Sequence, residues 1–363
     1  MLRSVVSGIC NIYFDDVDDV TWTQATLPVK FGGLGIRRAV QLAPSAFLAS
    51  AAGSSDLIRQ ILPPYLHGTP LPNLDDAMVQ WSQGHDQSPP TGPASHRQKN
   101  WDTVKVSSTA DVLLSNAHDP VTRARLLAAS SRESGLWLSV PPISSLGLRM
   151  DDNTIRVAVG LRLGAPLCRP HACQHCGAAV DQYATHGLSC RHSAGRHFRH
   201  AGLNDIIHKA LSSAKTPSRL EPSGICRSDG KRPDGITMVP WKFGKLLVWD
   251  ATCIDTFAPS YAVSAATEAG AVAALAEERK ILKYEHLNRN HSFVPVAVET
   301  SGVFGPKSMT FLRELGKRLL QVTGEESSLH YLLQRLSVMV QRGNSASVVG
   351  TTEILNSNPY DFF

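Results

Sequence analysis

Four residues spaced Cys173-x2-Cys176-x9-His186-x3-Cys190, in "CQHCGAAVDQYATHGLSC", carry the most specific chemistry in the chain. A CxxC turn followed by a His/Cys pair four apart can close a tetrahedron of thiolates and imidazole around Zn²⁺. Four protein ligands leave no open position, so such a site is structural, not catalytic. Cys168, His171, His175 and His192 are near enough in sequence to compete, and reduced, unliganded cysteines are the plain alternative. A second candidate is the stretch "KRPDGITMVPWKFGKLLVWDATCIDTF", residues 231–257, which sets Asp234 and Asp250 among strand-forming apolar residues. A carboxylate in such a place is costly unless something pairs with it.

Taking "RPDGITMV" and "KLLVWDAT" as a hairpin joined by "PWKFG", with Val239 facing Lys245, places Asp234 directly opposite Asp250. Directly opposed residues share a face, with Cβ atoms about 4.5–5.5 Å apart. Two carboxylates that close repel unless one is protonated or a cation lies between them. Mg²⁺ or a similar hard ion suits oxygen ligands of this kind. A one-residue slip would send the two side chains to opposite faces and leave two solvated aspartates. The basic partner is harder to find, because Thr252 follows two residues after Asp250. In "AEERKILKYEHL", Lys280, Lys283, Tyr284 and Leu287 fall on one helical face. A lysine from that helix could stabilise charge on a phosphate; solvated lysines are the alternative.

The elements that must position these residues follow from pattern. Residues 1–70 read as mostly helical with an extended Gly-rich insert, "LPVKFGGLGIRRA"; 71–100 have the Pro/Ser/Gly/Gln composition of a flexible linker; 101–165 are helical again, a connector. A zinc knuckle is expected at 166–196. A helix over 197–215, a strand pair or meander over 222–257, a long Ala-rich helix over 261–290, a strand at "SFVPVAVET" and two helices over 308–342 make an α/β or α+β core, 197–345. Residues 346–363 read as a weakly ordered tail.

Composition narrows the classes. Of 363 residues, 42% are hydrophobic and 18% charged, which suits folded globular structure. The net charge of +5 is unevenly spread: residues 191–232 hold nine Lys/Arg against three Asp/Glu, an excess of six. Local basicity of this kind favours a phosphate-bearing partner; a solvated basic surface is the plain alternative. Seven cysteines, three of them beside histidines, fit a metal site in a reducing compartment better than a disulfide framework. No apolar run approaches a membrane span, and none is expected to reach a membrane.

Together, "CxxCG…VD…HGLSC", "RHAGLNDII", "KRPDG…LLVWDATCIDT", "KILKY" and "QRGNS" resemble the C-terminal region of non-LTR (LINE-like) retrotransposon polyproteins. The branch is the one carrying a restriction-like endonuclease of the PD-(D/E)XK type downstream of its reverse transcriptase. The resemblance covers residues 165–350 well and "WTQATLPVKFGGLGIRRA" more weakly, as a thumb-like segment following the polymerase. It implies an α/β fold with a mixed sheet flanked by helices, a small zinc knuckle and a mostly helical N-terminal region. It implies that Asp234 and Asp250 hold Mg²⁺ or Mn²⁺, and that Cys173, Cys176, His186 and Cys190 hold structural Zn²⁺. Thr252 departs from the usual motif lysine, which such nucleases move to the next helix, so Lys280 or Lys283 is the catalytic candidate. Arg199 and His200 match an "RH" near the DNA; Arg196 and Arg232 join them as nucleic-acid-binding candidates. Glu221, Tyr284 and Gln341 are weaker candidates for the site.

The implied activity is nicking of target DNA by phosphodiester hydrolysis, in an intracellular and, for a functional element, nuclear setting. DNA is the expected partner, with the element's RNA and the polymerase region of the parent polyprotein. "YFDD", Tyr13–Asp16, imitates a reverse-transcriptase motif, but the twelve residues before it cannot supply a palm, and polymerase activity is not expected. The chain is therefore expected to be a piece of a longer element. A decayed, non-catalytic nucleic-acid-binding module is the alternative function, and an unstable fragment the third.

Overall fold

The N-terminal part is helical because its helices carry strong local signals. α1 (Leu2–Cys10), α2 (Asp19–Thr26), α3 (Ala39–Ile61), α4 (Leu74–Ser82), α5 (Gln98–Ser115), α6 (Pro120–Ser130) and α7 (Asp152–Leu163) follow in order. Asp119 caps α6 and Asp151 caps α7, each accepting an amide hydrogen at 2.8 Å from the residue three further on. The computed structural model describes residues 2–10, 19–67, 69–225 and 232–352. "YFDD" at 13–16, part of the basic segment (226–231) and 353–363 lie outside the described residues.

The Gly-rich insert after α2 is pinned by one buried guanidinium. Arg162 of α7 donates to the carbonyls of Gly33, Val29 and Ala129 at 3.1, 2.8 and 3.0 Å. Burial pushes its pKa down to about 10. The segment expected to be a linker contains α4, and Trp81 of that helix is fully buried against Trp101 of α5. Its indole donates to the Trp101 carbonyl at 3.0 Å. One large aromatic residue thus holds a structure that the surrounding Pro/Ser/Gln composition conceals.

The knuckle consists of a two-stranded ribbon, β1 (His171–Ala172) and β2 (Ala179–Val180), and the short α8 (His186–Ser189). α9 (Ala194–Ser213) follows, close to the expected helix. Next come β3 (Ser218–Leu220), β4 (Gly235–Lys242) and β5 (Lys245–Ile254). The expected single helix over 261–290 is divided into α10 (Ala262–Ala265), α11 (Ala271–Lys283) and a 3-10 turn at Glu285–Arg289. Gly270 separates the two helices, with φ at 85°, a left-handed value that side-chain-bearing residues avoid. β6 (His291–Glu299), α12 (Pro306–Thr323) and α13 (Ser328–Val349) complete the chain. α13 runs into the expected tail and buries Ser347 and Val348, because its last turns pack on α8 and the knuckle.

The sheet is mixed, in the order β3-β4-β5-β6, with antiparallel pairs except for the parallel β5–β6. β5 is buried on both faces, as a central strand between helical layers must be. Leu247, Trp249 and Ala251 pack with Leu203 and Ile207 of α9, Leu312 and Leu315 of α12, and Leu336 and Val340 of α13. On the other face, Val248 meets Tyr284 and Leu287, while Ala273 and Ala276 of α11 pack on Ala297. The molecule is thus a mixed α/β structure.

Candidate metal and carboxylate sites

The knuckle brings its four expected residues together. Among the described residues, Cys173, Cys176, His186 and Cys190 are the one group of three or more metal-ligand side chains whose ligand atoms all lie within 4.8 Å of one another. The Sγ atoms of Cys173 and Cys176 are 4.0 and 3.8 Å from Cys190 Sγ, and Cys176 Sγ is 3.2 Å from His186 Nε2. A tetrahedron with Zn–S bonds of 2.3 Å has S···S edges of roughly 3.8 Å, so these residues could hold an ion such as zinc. The Ala178 amide holds the Cys176 thiol below its ordinary pKa. Two competitors are engaged elsewhere: the Cys168 thiol donates to the Asp181 carbonyl at 3.3 Å, and His171 bonds to the Arg169 carbonyl and Thr351 hydroxyl.

The carboxylate site is set at the base of the β4–β5 hairpin. Gly235 pairs with Trp249 and Ile236 with Val248, the register expected there. Asp234 lies one residue before β4, and its amide donates to the Trp249 carbonyl at 3.0 Å. The expected turn differs: Trp241 and Lys242 belong to β4, Lys242 faces Lys245, and Phe243–Gly244 make the turn, both in left-handed conformation. Two register shifts between Ile236 and Lys242 absorb the difference, leaving pairing at Gly235–Ile236 unaltered. Gly235 is needed for space, since a Cβ there would be 2.1 Å from the Trp249 ring.

Asp250 is nearly fully buried, facing α11. Lys280 forms an ion pair with Asp250 Oδ2, while Lys283 donates to the Tyr284 hydroxyl at 2.8 Å. That hydroxyl is 3.0 Å from Asp250 Oδ1 and 2.9 Å from the Arg232 carbonyl, so its one hydrogen can serve either. Asp234 Oδ2 is 3.0 Å from His200 Nε2 and accepts the Ala251 amide at 2.6 Å. Burial alone would raise the Asp234 carboxyl, but His200, the Ala251 amide and Asn204 together hold it below its ordinary value. The bond to Asp234 raises the His200 pKa against the opposing effect of burial. The side chains grade outward, from Asp250 at 4% exposure through Asp234 at 15% and Lys280 at 24% to His200 at 45%.

Other expected residues fall elsewhere. Arg196 is exposed on α9. Arg199 is 1% exposed and donates to Asn344 Oδ1 at 2.7 Å and the Leu188 carbonyl at 3.2 Å. It cannot grip DNA from there; it ties α9 to α8 and α13. Arg232 is exposed and paired with Glu221, whose carboxylate faces that guanidinium and not the two aspartates. Gln341 is buried on α13, beside Asn344, lining a different cavity with Arg162 and Ser134, so it is not on the rim of the carboxylate site. Sequence reading missed Asn204, buried on α9 beneath Trp249; its place four residues after His200, on the same helical face, was the available signal. No described helix is long and apolar enough to cross a membrane. No family model matches the chain, and no curated protein matches its sequence.

Proposed function

We propose that the chain is a metal-dependent DNA endonuclease of the restriction-like PD-(D/E)XK kind, derived from a non-LTR retrotransposon. The observation that carries this reading is two neighbouring pairs, Asp250 with Lys280 and Asp234 with His200, supplied by β5, α11, α9 and the bend before β4 and linked where the Ala251 amide reaches Asp234. Two carboxylates suit Mg²⁺ or Mn²⁺, ions that keep several waters and take phosphate oxygens as further ligands. When bound by Asp234 and Asp250, such an ion supplies Lewis acidity at the scissile phosphate and lowers the pKa of a water.

The chain's own groups do the rest. The Lys280 ammonium offsets charge developing on the phosphate. Tyr284 fixes one oxygen of Asp250, and Lys283 orients Tyr284. His200 and the Ala251 amide fix Asp234. Exposed Arg196, with the neighbouring Arg191, would hold the DNA backbone and make affinity salt-sensitive. Arg232 can contribute if its pair with Glu221 opens. Structural Zn²⁺ at the knuckle would hold α8 against the start of α9.

The rival reading is a nucleic-acid-binding module without catalysis. It is favoured by the same ion pair and hydrogen bonds, which satisfy Asp234 and Asp250 without an added ion. Supercoiled plasmid incubated with Mg²⁺ or Mn²⁺ separates the two. Nicking by the wild-type chain, lost in Asp234→Ala and Asp250→Ala with DNA binding retained, is expected. Binding without nicking, or nicking that survives both substitutions, would sink the nuclease reading.

A further inference from the structure

We infer that Asn204 is a positioning residue for Asp234, locked in its working orientation by the indole of Trp249; its catalytic consequence rests on the nuclease reading. An asparagine amide presents an acceptor at one end and donors at the other, and the two ends have nearly the same shape. Here the chemistry of the neighbour decides. Trp249 Nε1 lies 3.0 Å from the Asn204 amide, and an indole nitrogen can only donate. Oδ1 of Asn204 must therefore face Trp249. Its NH₂ group must then face the opposite way, where His200 Nε2 lies at 3.5 Å, the same nitrogen that is 3.0 Å from Asp234 Oδ2.

Burial keeps water from competing for this hydrogen bond. Trp249 is fully buried and Asn204 is 6% exposed. The ring lies over Gly235, where a side chain would collide with it. Asp234 precedes that glycine, and Asp250 follows that tryptophan. One buried amide on α9 thus links the tryptophan that precedes Asp250 to the histidine that meets Asp234. Its donors sit beside the His200 nitrogen that meets Asp234, a carboxylate that also accepts the Ala251 amide. A carboxylate held by several donors loses rotamer freedom and stays ionised, both of which pre-organise a ligand group.

Two kinds of measurement test this, and one needs no activity. Urea unfolding of Asn204→Leu, Trp249→Phe, Asp234→Ala and the two double variants containing Asn204→Leu yields two double-mutant cycles. Both cycles are expected to be non-additive. Additive cycles overturn the inference whether or not the protein nicks DNA. Asn204→Asp, which keeps the acceptor for Trp249 but turns an oxygen toward Asp234, serves if Asn204→Leu fails to unfold cooperatively; its cycles are read in the same way. On plasmid, Asn204→Leu is expected to nick about tenfold more slowly at saturating DNA, with DNA affinity in Ca²⁺ within about twofold of wild type. A folded variant that nicks at the wild-type rate also overturns the inference. Non-additive cycles in a wild-type chain that does not nick would sink the nuclease reading and leave the Trp249–Asn204–Asp234 bracket standing.

Discussion

Lys280 and Lys283 stand one turn apart on α11, yet their ammonium groups go to different places. Lys280 meets Asp250, and Lys283 meets the Tyr284 hydroxyl. On the proposed mechanism, Lys280→Met lowers the nicking rate by about 10²–10³-fold, the range seen when one charge-stabilising donor is removed. Lys283→Met acts through Tyr284 and lowers it by less than about tenfold, measured on the same supercoiled plasmid. Neighbours on α9 divide in a similar way. Arg199→Ala leaves the Leu188 carbonyl and Asn344 amide without their buried donor, with an expected loss of about 1–3 kcal/mol for each acceptor in urea unfolding. Arg196→Ala leaves stability unchanged and reduces the slope of log K for DNA against log salt by about one. A smaller slope in Arg199→Ala with full stability would reverse these assignments.

At the scale of elements, the knuckle and α9 are joined where α8 ends, because Arg199 holds the Leu188 carbonyl one residue before His200 reaches Asp234. Purified protein is expected to hold about one zinc per chain, released by a chelator with a fall in melting temperature. Cys176→Ser, at the exposed ligand, is expected to weaken retention; a metal-free wild type with unchanged melting would contradict the site. The knuckle was legible because its ligands are close in sequence and their spacing is itself the geometry. The pairing at the base of the hairpin was only partly legible: it matches a register assumed from a turn at "PWKFG", and the continuous apolar run "LLVW" does not itself limit the register. The turn was not, since two shifts along β4 extend the strand through "PWK" without changing the pattern near Asp234. Nor could Arg199 be told from His200 in sequence. Arg199 is buried because α13 approaches closely at Gly343, where a Cβ would be 1.9 Å from the arginine side chain, and that approach is tertiary. Trp81 and Asn204 were hidden for the same reason: each is explained by a partner on another element.

At the scale of the whole molecule, pH acts through a buried carboxyl away from the proposed site. Burial raises the Asp255 pKa to about 6 from 3.8, against bonds from the Phe257 amide and the Thr300 hydroxyl. Its Oδ2 meets no protein donor among the described residues. The folded state therefore holds this proton between pH 4 and 6 when the unfolded chain has released it. The sign follows: this contribution to stability is complete below about pH 4 and disappears as pH rises through 6, a change of about 3 kcal/mol. Asp255→Asn should flatten the urea midpoint over that range; an unchanged slope would show that the group titrates normally. The parallel pairing of β5 with β6 sets a different property, the order of assembly. Leu246 registers with His291, 45 positions later, and the crossover between the two strands contains α11 and hence Lys280. That loop must close before β6 can dock, an entropic barrier that local hairpins do not face. The β4–β5 hairpin can form early with Asp250 still in water, whereas its burial against Lys280 awaits the crossover. Lys280→Met should accordingly speed unfolding and leave the refolding rate nearly unchanged in stopped-flow chevrons. In a chain emerging from the ribosome, the acidic half of the site would then wait, hydrated and uncommitted, for its cation to be translated and docked.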